Sequence, residues 1–347
     1  METNGNNAEI KKRNKALKIF LIISFALILF IGVSIVYMLS IKTPNDSEGE
    51  LFLDNVSSKQ TAISCLYDTQ FYDKKDRLPV NLLAKAICRN KPFKAGRYVI
   101  KAHMPYYKLI RKLQRGEQDP VKITIQNYRT VNDFIEKTEK KFRFSKTELL
   151  SALKDKYGEM PQDLFCDIIP DTYEFYWTVK AEDFLKKLSS YAEKWWTKQQ
   201  DNLTKCNLTK KEVIILASIV NEETRNNAEK PSIAGVYINR LNKGMLLQAD
   251  PTVKFAVGDF SLRRILGTHL QSDSPFNTYK VKGLPPAPIC LPDVSSIKSV
   301  LNYQKHSYLY FCAKEDFSGS HNFASTWEEH LANARKYHNA LNQRNIK

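Results

Sequence analysis

The sequence predicts an α+β protein in which a single N-terminal transmembrane helix carries a small α+β module and then a larger mixed α/β domain. Three observations predict it. Residues 19–41 (IFLIISFALILFIGVSIVYMLSI) form an uncharged run long enough, at the helical rise, to cross a hydrocarbon core. Alternating strand patterns and amphipathic helix patterns follow one another through the chain beyond it. The 347 residues, 43% hydrophobic and 11% aromatic, supply a core for two domains, which excludes a disordered tail.

A cleavable signal peptide has a shorter apolar stretch and a small-x-small site, whereas this run ends in Tyr37, Met38 and Leu39 before Lys42. The span is therefore expected to remain. Lys11, Lys12, Arg13, Lys15 and Lys18 precede it, while Asp46, Glu48 and Glu50 follow Lys42. The positive-inside rule makes residues 1–18 a cytoplasmic basic tail and turns the chain outward from residue 42. The expectation is a single-pass cell-membrane protein with membrane lipid as a partner along residues 19–41. The formal charge of +16 favours anionic partners without choosing among lipid head groups, nucleic acid and acidic wall polymers.

Residues 42–50 are short and polar, a linker by composition. Residues 51–126 read as the small module: GRYVI at 96–100 as a strand, PYYKLIRKLQRG at 105–116 as a helix closed by Gly116, and VKITIQ at 121–126 as an alternating strand. Tyr98, Tyr106 and Tyr107 fit either a core or a sugar-stacking platform, with core the commoner fate of such spacing. Residues 127–347 form the larger domain. Helices are expected at about 130–156, with Thr130 or Asn132 as cap, at 181–200 beside Trp195 and Trp196, and from about 327 to 345 with Leu331, Ala334 and Leu341 inward. Asp171 in IIPDTYEFYW (168–177) reads as a turn residue, with a second carboxylate of a site as the alternative.

One helix carries more information. In LTKKEVIILASIVNEET (208–224), Thr209 and Glu212 form a capping box and Leu208 can staple against Val213. Residues 213–220 are apolar apart from Ser218, the mark of a helix buried on nearly all faces. At about 100° per residue, Glu223 falls on the stripe of Val213, Leu216 and Val220, and Glu222 on the more polar side with Ser218. A carboxyl group aimed at apolar walls in the last, dipole-negative turn resists ionisation, which suits a general acid. The competing reading is a salt bridge from Glu223 to Arg225 or Arg240.

The six cysteines (Cys65, Cys88, Cys166, Cys206, Cys290, Cys312) show neither C-x-x-C nor metal-ligand spacing, and isolated core residues are as good a reading as bridges. His321 and His330 lack any H-E-x-x-H-like set and read as structural or surface residues. No metal or cofactor is expected.

LASIVNEET, SIAGVYINRLNKGMLLQADPT (232–252), SPFNTYKVKGLPPAPI (274–289), SYLYFCA (307–313) and HNF (321–323) together resemble, in order, the endolytic murein transglycosylase family, the MltG or YceG-like proteins. The resemblance is specific in the last third and thin before residue 160. It implies a LysM-like module at 51–126, a catalytic domain at 127–347, and lytic cleavage of the MurNAc-β-1,4-GlcNAc bond within nascent peptidoglycan strands, leaving 1,6-anhydro-MurNAc ends. It places the catalytic acid on Glu223 and the lining of the sugar cleft on Gln248, Asp250, Thr252, Asn277, Thr278 and Tyr279. It implies peptidoglycan strands and cell-wall synthesis enzymes as partners, and no nucleic acid. Departures are Asn221 at the motif's first glutamate, Ala287 at a usual glycine, and residues 166–168 before the P-D-T-Y segment. Two other readings remain: a membrane-tethered glycan-binding or scaffolding protein, and a hydrolytic glycosidase in which Asp250 or Asp171 is the second carboxylate.

Overall fold

The computed structural model describes residues 3–54, 63–89, 91–262 and 264–344; residues 55–62 and 90 of the expected module lie outside them. The chain divides into two compact units, one of residues 1–121 with 176–178 and one of 122–175 with 179–347.

The first unit opens with helix α1 (Thr3–Ser40), which carries the helical path back through most of the basic tail. Its stretch Lys11–Ser40 is long and apolar enough to cross a membrane, and none of that window is buried against protein. Strand β1 (Gly49–Leu53), helix α2 (Arg77–Cys88), strand β2 (Gly96–Ile100) and helix α3 (Tyr106–Arg115) follow. β1 and β2 pair antiparallel with Leu51 opposite Tyr98, and α2 and α3 pack on each other. Leu51, Leu53, Val80, Leu83, Leu109, Ile110 and Leu113 share the core. Gly116 takes a φ of 72° and closes α3, an angle at which a side chain would be strained.

One expectation changes here and one holds. The expected linker is built into the fold: Tyr106 N–H donates to Ile41 O at 3.0 Å, Thr43 N–H to Met104 O at 2.9 Å and His103 N–H to Asn45 O at 3.1 Å, and Thr43 is buried. Tyr98 and Tyr106 are fully buried, their hydroxyls donating to Lys94 O and Phe71 O, so neither is a sugar platform. Tyr107 alone keeps some exposure, with Lys108 and Arg111 near its ring.

In the second unit, strand β3 (Val121–Ile125) pairs with strand β4 (Asp171–Phe175), joined also by Thr124 and Thr172 hydroxyls 2.9 Å apart. The alternation read in VKITIQ is real, but its partner lies fifty residues downstream, beyond the expected module. The helical region expected over 130–156 holds two helices, α4 (Val131–Glu139) and α5 (Lys146–Tyr157), because Ser145 with Glu148 makes a second capping box after that of Thr130 with Asp133. Helices α6 (Ala181–Lys198) and α7 (Gln200–Cys206) lead to α8 (Lys210–Glu223), which opens on the Thr209–Glu212 capping box.

Every residue of α8 from Val213 to Val220 is buried. Helices α9 (Lys230–Asn242), α10 (Asp250–Val257) and α11 (Val294–Leu301) pack around it. Ser218 is buried too, not on a polar face. Its hydroxyl donates to Ile215 O at 2.7 Å and accepts from Ile289 N–H at 3.0 Å, which holds the 287–291 segment along the helix. Gly235 lets α9 approach residues 304–306, since a Cβ there would lie 2.4 Å from Gln304 O. Strands β5 (Tyr310–Ala313) and β6 (His321–Ala324) pair antiparallel, and helix α12 (Trp327–Gln343) packs on them with Leu331, Ala334 and Leu341 only half-buried.

Candidate active site

The last turn of α8 meets an open cavity of about 620 Å³ lined by Asn127, Arg129, Asn221 to Arg225, Asn227, Lys230 and Asp293. The lining is almost wholly polar, suited to a hydrated, hydrogen-bonding ligand. The helix delivers its three terminal polar residues to separate tasks. Asn221 Oδ1 accepts from Asp293 N–H at 3.1 Å and Ser296 Oγ at 3.2 Å, steadying the start of α11. Glu222 is paired with Arg129 at 2.7 Å. Glu223 accepts from Tyr237 Oη at 2.5 Å.

Glu223 keeps a window to solvent, yet the protein packed around its carboxyl raises its pKa from 4.5 to about 7. Desolvation is the main cause, and the charge of Asp250 adds to it; the Tyr237 hydrogen bond and the positive charges of Arg240 and Lys254 oppose it. No ion pair joins Glu223 to Arg225 or Arg240 among the described residues. The Arg240 guanidinium is engaged instead with Leu309 O at 2.6 Å and Leu247 O at 2.8 Å, and lies over the Tyr310 ring. Tyr237 is buried, with its own pKa driven up by burial and the neighbouring carboxylate, so it serves as a fixed hydroxyl donor.

The six residues of the expected cleft lining separate into two groups. Gln248 and Asp250 are exposed and Tyr279 is half-buried, and Tyr279 Oη donates to Asp250 Oδ1 at 2.5 Å. Gln248 holds a left-handed φ of 49° while its N–H donates to Thr278 O. Thr252, Asn277 and Thr278 are buried. Thr252 and Thr278 hydroxyls lie 2.8 Å apart, and Asn277 donates to Leu270 O and Ser272 O, so these three brace the loop from behind. Asp171 is tied to the Tyr191 hydroxyl, and neither it nor any of these six residues is in the lining of the cavity at Glu223.

Sequence reasoning missed Tyr237, Arg129 and Lys230. Lys230 is a buried ammonium held by Asp293 at 2.8 Å and Ser295 at 2.9 Å. Tyr237 sits in the SIAGVYINRLNKG block, which carries the resemblance without singling this residue out. His321 is bound to Glu229 at 3.0 Å and His330 stacks on Tyr310, as structural residues do. None of the cysteines is bridged, and among the described residues no group of histidine, cysteine and acidic side chains could hold a metal ion.

A carboxylic acid poised near neutrality beside a polar cavity is suited to acid–base work on a polar substrate. The chain matches the YceG-like family over residues 55–336 and belongs to it. It is 29% identical over 273 residues to the endolytic murein transglycosylase of Bacillus subtilis, covering 73% of this chain and 75% of that one. It is 28% identical over 282 residues to the endolytic murein transglycosylase of Streptococcus pneumoniae, covering 71% of this chain and 51% of that one, so it spans about half the pneumococcal protein. A solved structure of a yceG-like protein from Listeria monocytogenes is similar at a TM-score of 0.53 and 26% identity, over 83% of this chain and 99% of that one.

Proposed function

We propose that this protein is a membrane-anchored endolytic lytic transglycosylase, cleaving the MurNAc-β-1,4-GlcNAc bond within nascent peptidoglycan strands and so ending their growth. The observation that carries the reading is Glu223, a single carboxyl group half-protonated near pH 7, in a member of a family whose curated relatives are named endolytic murein transglycosylases. In the proposed reaction the protonated Glu223 gives its proton to the bridging oxygen as the bond to C1 of MurNAc breaks. The C6 hydroxyl of the same sugar then attacks C1, and the Glu223 carboxylate takes the hydroxyl proton, which closes the 1,6-anhydro ring without water. One group does both jobs, so its pKa has to lie close to the working pH.

Tyr237 fixes the Glu223 carboxyl, and Gln248, Asp250 and Tyr279 face the strand, with Thr252, Asn277 and Thr278 shaping the loop that presents them. Residues 127–347 are read as the catalytic domain, oriented outward by the basic residues in the first half of α1. The first unit is read as a LysM-like holder of glycan on the strength of its two-stranded sheet and two covering helices. A second reading, hydrolysis, is favoured by one observation: the charge of Asp250 acts on Glu223.

Product analysis by mass spectrometry on purified peptidoglycan separates the two. The proposal expects internal fragments ending in 1,6-anhydro-MurNAc from the native protein and none from a folded Glu223→Gln variant. Reducing ends would replace it with hydrolysis through a second carboxylate. Absence of products from either protein would replace it with glycan binding alone.

A further inference from the structure

Helix α2 divides into a core face and an outward face. Val80, Leu83, Ala84 and Cys88 are buried, while Lys75 just before it and Leu78, Leu82, Lys85, Ala86 and Arg89 form an exposed stripe at helical spacing. Leu78 is 71% exposed and Leu82 51%, a placement that costs free energy unless something apolar covers them. Lys75 is paired with Asp73 at 2.9 Å, and from Arg77 to Arg89 no acidic residue occurs. The end of the stripe opens into a hollow of about 570 Å³ whose described lining includes Arg89, Lys91, Arg111 and Arg115 and no carboxylate.

The position of this stripe names its occupant. α2 packs against α1 within the same unit, and Lys75 lies within electrostatic reach of Tyr37 in the last turn of α1. Hydrogen bonds at Ile41 and Thr43 fix the module to the end of that helix with no slack. Where α1 spans a bilayer, Tyr37 lies at the level of the lipid–water boundary, and the start of α2 lies beside it. We propose that α2 is an interfacial helix that sets Leu78 and Leu82 into the outer leaflet and its flanking cations against anionic head groups. An apolar stripe bordered by lysine and arginine is the composition such helices need. The inference rests on α1 as the membrane anchor and is independent of the chemistry at Glu223.

The test uses the full chain in vesicles of zwitterionic lipid with and without phosphatidylglycerol. Leu78→Trp and Leu82→Trp are compared with Leu150→Trp, an exposed position on α5 of the second unit, after subtracting the native tryptophan signal. Docking predicts blue-shifted emission at 78 and 82, quenching by lipids carrying a shallow nitroxide, and deeper quenching with phosphatidylglycerol that Lys85→Glu with Arg89→Glu removes. The Leu150→Trp signal stays unquenched. Flotation with the vesicles reports insertion of α1 separately, so protein that fails to float overturns the anchor itself. Protein that floats while 78 and 82 behave like 150 overturns the docking and leaves the stripe to a protein partner. Quenching that ignores lipid charge overturns the head-group contacts.

Discussion

Glu222 and Glu223 are neighbours in sequence, on one helix, beside one cavity, and their surroundings differ in kind. Glu222 meets a guanidinium at 2.7 Å, a partner that satisfies a carboxylate. Glu223 meets only a neutral hydroxyl and dense protein, and is left holding a proton that it can give up. The difference arises because a 100° step of the helix turns one side chain toward Arg129 and the next toward Tyr237 of α9. Chemistry at a helix end is thus chosen by what the neighbouring elements present, more than by the residue type on the helix.

The largest expected effect of breaking this asymmetry is on rate. Glu223→Gln should lower strand cleavage by roughly a hundredfold to ten-thousandfold, the range for losing a general acid–base, while Glu222→Gln should leave most activity in place. Equal losses in both variants, measured on the same peptidoglycan, would erase the distinction drawn here. Stability should respond in the opposite direction. The folded pKa of Glu223 lies above its ordinary value, so the folded state holds the proton longer, and stability falls as pH rises from about 4.5 and levels off above about 7. Glu223→Gln should therefore be more stable than the native protein at pH 8 by up to about 3 kcal/mol, an advantage that shrinks toward pH 4 in urea titrations.

Tyr237→Phe keeps the packing but removes the hydrogen bond that favours the carboxylate. The alkaline fall of activity should move to higher pH, with a loss of about tenfold in rate, the worth of one buried hydrogen bond. A pH profile that does not move would mean that Tyr237 does not tune the acid. Ser218→Ala leaves Ile289 N–H buried without its acceptor and should cost about 1–2 kcal/mol. Thermal unfolding that matches the native curve would show that the 287–291 segment is held by packing alone.

Local rules were legible in the sequence and long-range ones were not. The Thr209–Glu212 box, the buried body of α8, the strand GRYVI and the Gly116 stop depend on residues a few positions apart, and the structure has them where they were expected. Rotation separates the directions of Glu222 and Glu223, but the polar side that Ser218 was expected to mark is buried. Tyr237, Arg129 and Lys230 join the site by tertiary contact, and nothing in their local sequence ties them to it. The same limit explains why VKITIQ was placed with its neighbours in sequence and not with Asp171–Phe175. The 42–50 stretch looks like a linker because composition reports solubility; it does not report that residues 41–45 find backbone partners at 103–106. Thr252, Asn277 and Thr278 show a further limit: a resemblance names residues without saying which are exposed and which are buried.

Those backbone partners at 103–106 make the anchor a mounting and not a leash. Residues inserted between Ile41 and Gly49 would have to unseat Thr43 and break its pairing before they lengthened anything. The distance from α1 to the rest of the first unit is thus written into the fold itself, and where α1 serves as an anchor a longer tether could not be had by a short insertion.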